Sequence, residues 1–208
     1  MAYTLEDIKN DIVLLNPKEF YIKHILRSDN WYFETMLGVG KEDIIRITDD
    51  FKQIVSQSLG ISFNNIAMVG SGKLGYSLSP RSARQDKLFM CFSNDSRVRP
   101  ESDIDIAIVS NQLFQTYWDL FRCSYSEVNK HLYRYISREI YRGYINEKNL
   151  LEIDGCRKYW NPISSSSKKL LHSDLYIKHE ISYRLYRSWE DFEEYNIQSL
   201  EEIKRGEI

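Results

Sequence analysis

The chain has 208 residues, with 28 Lys+Arg against 30 Asp+Glu and a formal net charge of −2. Its 42% apolar and 28% charged content is that of a globular chain long enough to bury a core without staples. Only 9 Gly and 4 Pro argue against collagen-like and disordered classes, and the near-neutral balance argues against a generally basic nucleic-acid wrapper. Aromatic residues are the one bias, with 15 Tyr, 9 Phe and 4 Trp, which fits either a Tyr-rich core or exposed stacking surfaces.

Thr4-Leu5-Glu6-Asp7 reads as a helix N-cap with an acidic third position, followed by apolar Leu5, Ile8, Ile12 and Leu15. Asn16-Pro17 reads as a second N-cap with proline at the first helical position, opening a helix to about Leu26. From Lys41 to Leu59, the residues Ile44, Ile47, Phe51, Val55 and Leu59 fall on one helical face, and Gly60 is a natural stop. The pattern then changes. Ile66-Ala67-Met68-Val69 is a short apolar run ending in Gly70-Ser71-Gly72, the signature of a buried strand running into a turn. A second such run spans Ile104 to Val109.

Between these two strands lies a long polar insertion. From Gly72 to Pro100 it holds Lys73, Arg81, Arg84, Lys87, Arg97 and Arg99 against Asp86 and Asp95, a local excess of four positive charges. With Tyr76, Phe89 and Phe92 it has the makings of a triphosphate or nucleic-acid contact, or of an ordinary solvated hairpin. Helical patterning returns from about Asn111 to Ile145. The stretch Asn146 to His172, with Pro162 and four serines from Ser164 to Ser167, reads as a loop or a helix start. His179 to Arg187 alternates like a strand, and Ser188-Trp189-Glu190-Asp191 reads as a capping box opening a last helix. The order predicts an α+β or α/β domain with a small sheet.

Three cysteines, Cys91, Cys123 and Cys156, lack CxxC spacing and read as free thiols of a reducing compartment. The N-terminus is acidic where a signal peptide would be basic, and no run approaches the ~18 apolar residues that span a bilayer. The expectation is a cytoplasmic protein with no membrane partner. His24, His131, His172 and His179 show no metal-ligand spacing, and the Trp31-Tyr32-Phe33 cluster reads as core. Gly70-Ser71-Gly72-Lys73 fails the full P-loop pattern, because Ala67 and Leu74 stand where Gly and Ser/Thr are needed.

The chemistry concentrates in Ser102-Asp103-Ile104-Asp105-Ile106-Ala107-Ile108-Val109. Residues i and i+2 of a strand share a face, so Asp103 and Asp105 set two carboxylates side by side on an otherwise apolar strand. Uncompensated, such a pair is costly to bury. A divalent cation relieves it, and Mg²⁺ is typically held by one or two carboxylates plus substrate phosphates.

A strand ending in Gly70-Ser71, followed by Asp103-x-Asp105 on the next strand, resembles the DNA polymerase beta-like nucleotidyltransferase superfamily. The resemblance covers about a quarter of the chain, from Ile61 to Ser110. It implies an α+β fold: a small mixed nucleotidyltransferase-type sheet flanked by helices, with helical N-terminal and C-terminal additions. A single domain over 1–208 would divide into a helical part (1–60), the motif core (61–110), and helices with a late strand (111–208). The resemblance implies Mg²⁺ (or Mn²⁺) on Asp103 and Asp105, and an NTP triphosphate, ATP among them, on Gly70 and Ser71 with help from Lys73. It implies transfer of an NMP to a hydroxyl of an RNA or protein acceptor, in a setting such as toxin–antitoxin pairing or phage defence.

Three departures stand beside it. Asp103 lies 32 positions after Ser71, where about a dozen is usual. The family's Gly-Ser-x-Ala-Arg-Gly reads Gly70-Ser71-Gly72-Lys73-Leu74-Gly75 here. The third catalytic carboxylate is expected on a later strand, with Glu180 first, then Asp174, Glu152 and Asp154. Arg184 and Arg187 are open between phosphate contact and a structural ion pair. The alternative function is a catalytically silent module of the same fold that binds nucleotide, RNA or a partner protein.

Overall fold

The computed structural model describes residues 3–79, 87–93, 102–124 and 126–207. The basic insertion's Arg81, Arg84, Arg97 and Arg99 lie outside the described residues, as do Asp86 and Asp95. Two capped helices open the chain. α1 (Leu5–Leu14) is closed by a reciprocal Thr4–Asp7 box and α2 (Pro17–Phe20) by an Asn16–Glu19 box, α2 continuing as a π-helical stretch to Leu26. α3 (Ile44–Leu59) buries Ile44, Phe51, Val55 and Leu59, and Gly60 ends it in the left-handed conformation.

β1 (Ile66–Val69) leads directly into α4 (Gly70–Leu74), so the Gly-Ser segment opens a short helix rather than a plain turn. β2 (Ile104–Val109) and α5 (Asn111–Cys123) follow, then α6 (Lys130–Tyr141) and a short strand β3 (Tyr144–Asn146). α7 (Glu147–Leu151) and α8 (Asp154–Asp174) precede β4 (Ile181–Tyr186) and α9 (Trp189–Glu207). α8 corrects the reading of a loop. It runs through Pro162 and the serine run, because Ser164 and Ser167 are small residues buried in the core, and Tyr183 Oη donates to Ser167 Oγ at 2.8 Å. β3 corrects the reading of helix as far as Ile145.

Among the described residues the fold is a mixed α+β arrangement, with a four-stranded sheet in the order β1-β2-β4-β3. β2 pairs antiparallel with β1 and parallel with β4, and β3 closes the far edge antiparallel to β4. Strand alternation divides the interior in two. Ile104, Ile106 and Ile108 join Tyr183, Leu185, Phe51 and Trp160 in the larger core, and Ala107, Val109 and Tyr186 join Ile8, Phe20 and Phe192 in the smaller. No helix among the described residues is long and apolar enough to cross a membrane. Cys91, Cys123 and Cys156 are free thiols, the last buried.

A buried carboxylate ties the larger core together. Glu147, 4% exposed, accepts from Trp160 Nε1 at 2.8 Å, Lys168 Nζ at 2.9 Å and the Tyr183 backbone N–H at 2.9 Å. It thereby joins α7, α8 and β4. Removing one partner of such a network strands the others. Glu147→Ala is expected to cost about 3–5 kcal/mol in chemical denaturation, with Glu147→Gln costing less because it keeps an acceptor. A loss under about 1 kcal/mol, the size of an average substitution, would contradict the network's role.

Candidate active site

The site forms where β1 ends and β2 begins, on the sheet face that carries the smaller core. Gly70, the first residue after β1, has φ +67°, a conformation natural to glycine. A Cβ at this position would lie 2.5 Å from Asp105 Oδ2, so the carboxylate fills the space that a side chain would take. The antiparallel register sets Val69 opposite Asp105. The parallel register sets Ser182 opposite Asp105 and Arg184 opposite Ala107. Ser182 Oγ donates to Asp105 Oδ1 at 2.9 Å.

These residues line a cavity of about 370 Å³. Gly70, Ser71, Asp103 and Asp105 face it from the strand ends, and Arg184 and Tyr186 from β4. Tyr195, Asn196 and Ser199 of α9 form the opposite wall. Lys87, Met90 and Cys91 approach from the described part of the insertion, which returns beside Gly75–Ser77 through a Tyr76–Cys91 bridge.

Burial and the adjacent Asp103 carboxylate hold the Asp105 carboxyl above the ordinary range, against the opposing pull of Arg184, the Ser182 hydroxyl and Lys87. The two aspartates thus form a partly desolvated pair of like charges. That pair suits a divalent cation with oxygen ligands: the i, i+2 spacing presents both carboxylates to one volume, and the cavity leaves room for phosphate and water to complete the shell. Among the described residues no group of three or more His, Cys, Asp or Glu side chains is placed to hold a metal ion.

Arg184 is the second feature of the site. Its Nη1 donates to Tyr195 Oη at 2.6 Å, and its guanidinium lies 4.9 Å from the Tyr195 ring centroid and 5.5 Å from that of Tyr144. Its Nε is buried with no hydrogen-bond partner among the described residues. A permanently charged side chain lining a cavity beside two carboxylates suits recognition of an oxyanion. Arg187 takes the structural course instead, pairing with both Asp191 oxygens at 2.7 and 2.8 Å.

Of the residues singled out in the sequence, Gly70, Ser71, Lys73, Asp103 and Asp105 meet at the cavity, and Glu180 does not line it. The Glu180 side chain is exposed, and its backbone carbonyl accepts from the Ile104 N–H at 2.8 Å. Lys73 borders the cavity, but its ammonium turns away to the Arg27 carbonyl, and burial pushes it down to about 8. Tyr195, Asn196 and Ser199 gave no signal in the sequence, since only the fold brings α9 to this face. His24 and His179 are buried against Asp11 and Tyr32 respectively, as packing histidines. Comparison with protein-family models, curated proteins and solved structures finds no match.

The raised Asp105 has a thermodynamic signature. Where the folded carboxyl holds a proton that the unfolded chain has released, stability falls as pH rises, and below that window the penalty vanishes. In chelator, the stability of the wild type relative to Asp105→Asn is expected to fall as pH rises from the ordinary carboxylate range toward neutrality. At neutral pH, Asp105→Asn is expected to melt about 2–4 °C higher, the shift that 1 kcal/mol gives in a chain of this size. A lower melting temperature for the variant across the whole range would contradict the buried like-charge pair.

Proposed function

We propose that the chain is a metal-dependent nucleotidyltransferase that moves an NMP from an NTP to an acceptor hydroxyl. The observation that carries the reading is the meeting of Gly70-Ser71 with Asp103 and Asp105 in one cavity, although 32 positions separate Ser71 from Asp103. The cavity falls within the ~300–1,000 Å³ range of small-molecule sites.

Each residue has a role in this reading. Asp103 and Asp105 would hold Mg²⁺ (or Mn²⁺). When bound, such an ion neutralises triphosphate charge and polarises the phosphoryl group under attack. Arg184, which lines the cavity, would set its positive charge against the triphosphate. Gly70 lets the chain pass close to both the carboxylate and the phosphates, and Ser71 contributes at the start of α4. The acceptor oxygen forms a bond to the α-phosphorus as the bond to the bridging oxygen breaks. That bond's electron pair leaves with pyrophosphate, and the hydroxyl proton passes to solvent. Lys73 acts here by packing, with Arg184 in the role of phosphate-binding cation.

One observation favours the second reading, a nucleotide-binding module without turnover. The β4 positions beside β2 carry Ser182 and Arg184, and the nearest carboxylate candidate, Glu180, stands outside the cavity. Incubation with each α-labelled NTP, Mg²⁺ or Mn²⁺, and total cellular RNA separates the two. Transfer of label with pyrophosphate release is expected, falling about a thousand-fold in Asp103→Asn and Asp105→Asn, as loss of several kcal/mol of metal stabilisation implies. Arg184→Gln is expected to raise KM for NTP by about 10–100-fold, the loss of one charge-assisted hydrogen bond. Nucleotide binding that survives Asp103→Asn, with no pyrophosphate under either metal, would establish the silent module.

A further inference from the structure

The outer face of α6 has a composition that helix stability does not call for. Lys130, Arg134, Arg138 and Arg142, the helix's C-cap, recur every fourth residue. At 100° per residue, these four and His131, Tyr135 and Tyr141 fall within an arc of about 140°. The buried Ile136 lies on the opposite side. No Asp or Glu of α6 falls inside the arc, and Lys130 Nζ pairs at 3.4 Å with Glu127, which precedes the helix. The helix's one acid, Glu139, is turned to the protein body, where it accepts from the Asn146 N–H at 3.1 Å and Asn149 Nδ2 at 2.7 Å. Like charges four apart weaken an isolated helix, and Tyr141 and Tyr135 are 89% and 63% exposed. Arg134 and Arg138 are exposed.

This face runs toward the candidate active site. Arg142 Nη2 donates to Gln198 Oε1 at 3.2 Å, and its guanidinium lies 5.8 Å from the Tyr195 ring centroid. Tyr195 is the ring that Arg184 also contacts, and it lines the cavity. A row of cations with exposed tyrosine rings between them therefore ends at a cavity lined by two carboxylates and Arg184.

We infer that α6 is a binding track for single-stranded RNA, whose end it delivers to the cavity. Successive basic residues rise about 6 Å along the helix axis, a spacing suited to adjacent phosphates of an extended strand. The exposed Tyr135 and Tyr141 rings supply stacking platforms that every base can use. An acidic polypeptide would satisfy the cations and leave the rings without a role. The choice of RNA as the strand, and of its end as the reacting part, rests on the nucleotidyltransferase reading. The track itself rests on α6.

The test is fluorescence anisotropy with a labelled, unstructured 12-nucleotide RNA and the full chain. Binding is expected at low salt and is expected to weaken as salt rises. Arg134→Glu/Arg138→Glu is expected to bind at least about 10-fold more weakly, and to lower the slope of log K against log salt by about 1.4, at ~0.7 per lost phosphate contact on a single strand. Tyr135→Ala/Tyr141→Ala is expected to lose about 10-fold with its salt slope unchanged, because stacking carries no counterion release. Circular dichroism and NTP binding equal to wild type would show that these variants remain folded. Asp103→Asn/Asp105→Asn is expected to bind RNA like wild type while losing transfer, whereas a wild-type chain that binds the RNA and transfers no label would overturn the catalytic reading and leave the track standing. RNA affinity unchanged in Arg134→Glu/Arg138→Glu would overturn the inference. So would tighter binding of polyglutamate, or of DNA of the same sequence, than of the RNA.

Discussion

The Asp105 carboxylate occupies the space that a side chain at position 70 would fill, and the rest of the site is arranged around that contact. Two requirements meet there. The chain leaving β1 must turn with a positive φ, and the strand beside it must present a carboxylate at close range. Glycine satisfies both, because it lacks the Cβ that makes the conformation costly and the approach impossible. The contact brings together two segments that are distant in sequence.

β2 is both a core element and a site element, and strand periodicity makes this possible. Its even-numbered isoleucines, Ile104, Ile106 and Ile108, are fully buried in the larger core. Asp103, just before the strand, and Asp105 face the cavity, and the later odd positions Ala107 and Val109 lie in the smaller core. The polar half of that face is the strand's first half, and parallel pairing with β4 brings Ser182 and Arg184 beside it. Two carboxylates on a half-buried strand are unfavourable by themselves. Arg184, Ser182 and Lys87 offset part of the cost and leave Asp105 raised. The remainder is a standing preference for added positive charge. Stability comes from elsewhere, from two apolar clusters on the sheet's faces and from the Glu147 network behind β4.

Much of this was legible because local chemistry and global fold agree. Thr4, Asn16 and Ser188 announce helices through their caps, and short apolar runs announce β1, β2 and β4. Other elements lie beyond local signals. β3 has three residues, too few for a period, and exists because β4 offers it an edge. α8 contains Pro162 and four serines, which read locally as a break. In the fold Ser164 and Ser167 are buried, Ser167 against Tyr183, while Ser165 and Ser166 face outward. Position at the start of the late strand favours Glu180, but pairing register decides which β4 residues accompany Asp105, and register is not written in one strand. Lys73 and Arg184 divide in the same way. Lys73 is close in sequence and turns away, whereas Arg184 lies 79 positions after Asp105 and turns in.

The central claim is that Asp103 and Asp105 hold a divalent ion against a nucleotide whose phosphates lie beside Gly70, Ser71 and Arg184. Crystallographic analysis with Mn²⁺ and a non-hydrolysable NTP analogue tests it most directly. The account predicts an anomalous peak within coordination distance of oxygens of Asp103, Asp105 and the triphosphate, with the phosphates beside the Arg184 guanidinium. A nucleotide bound away from the aspartates, or a peak without either carboxylate in its shell, would contradict it.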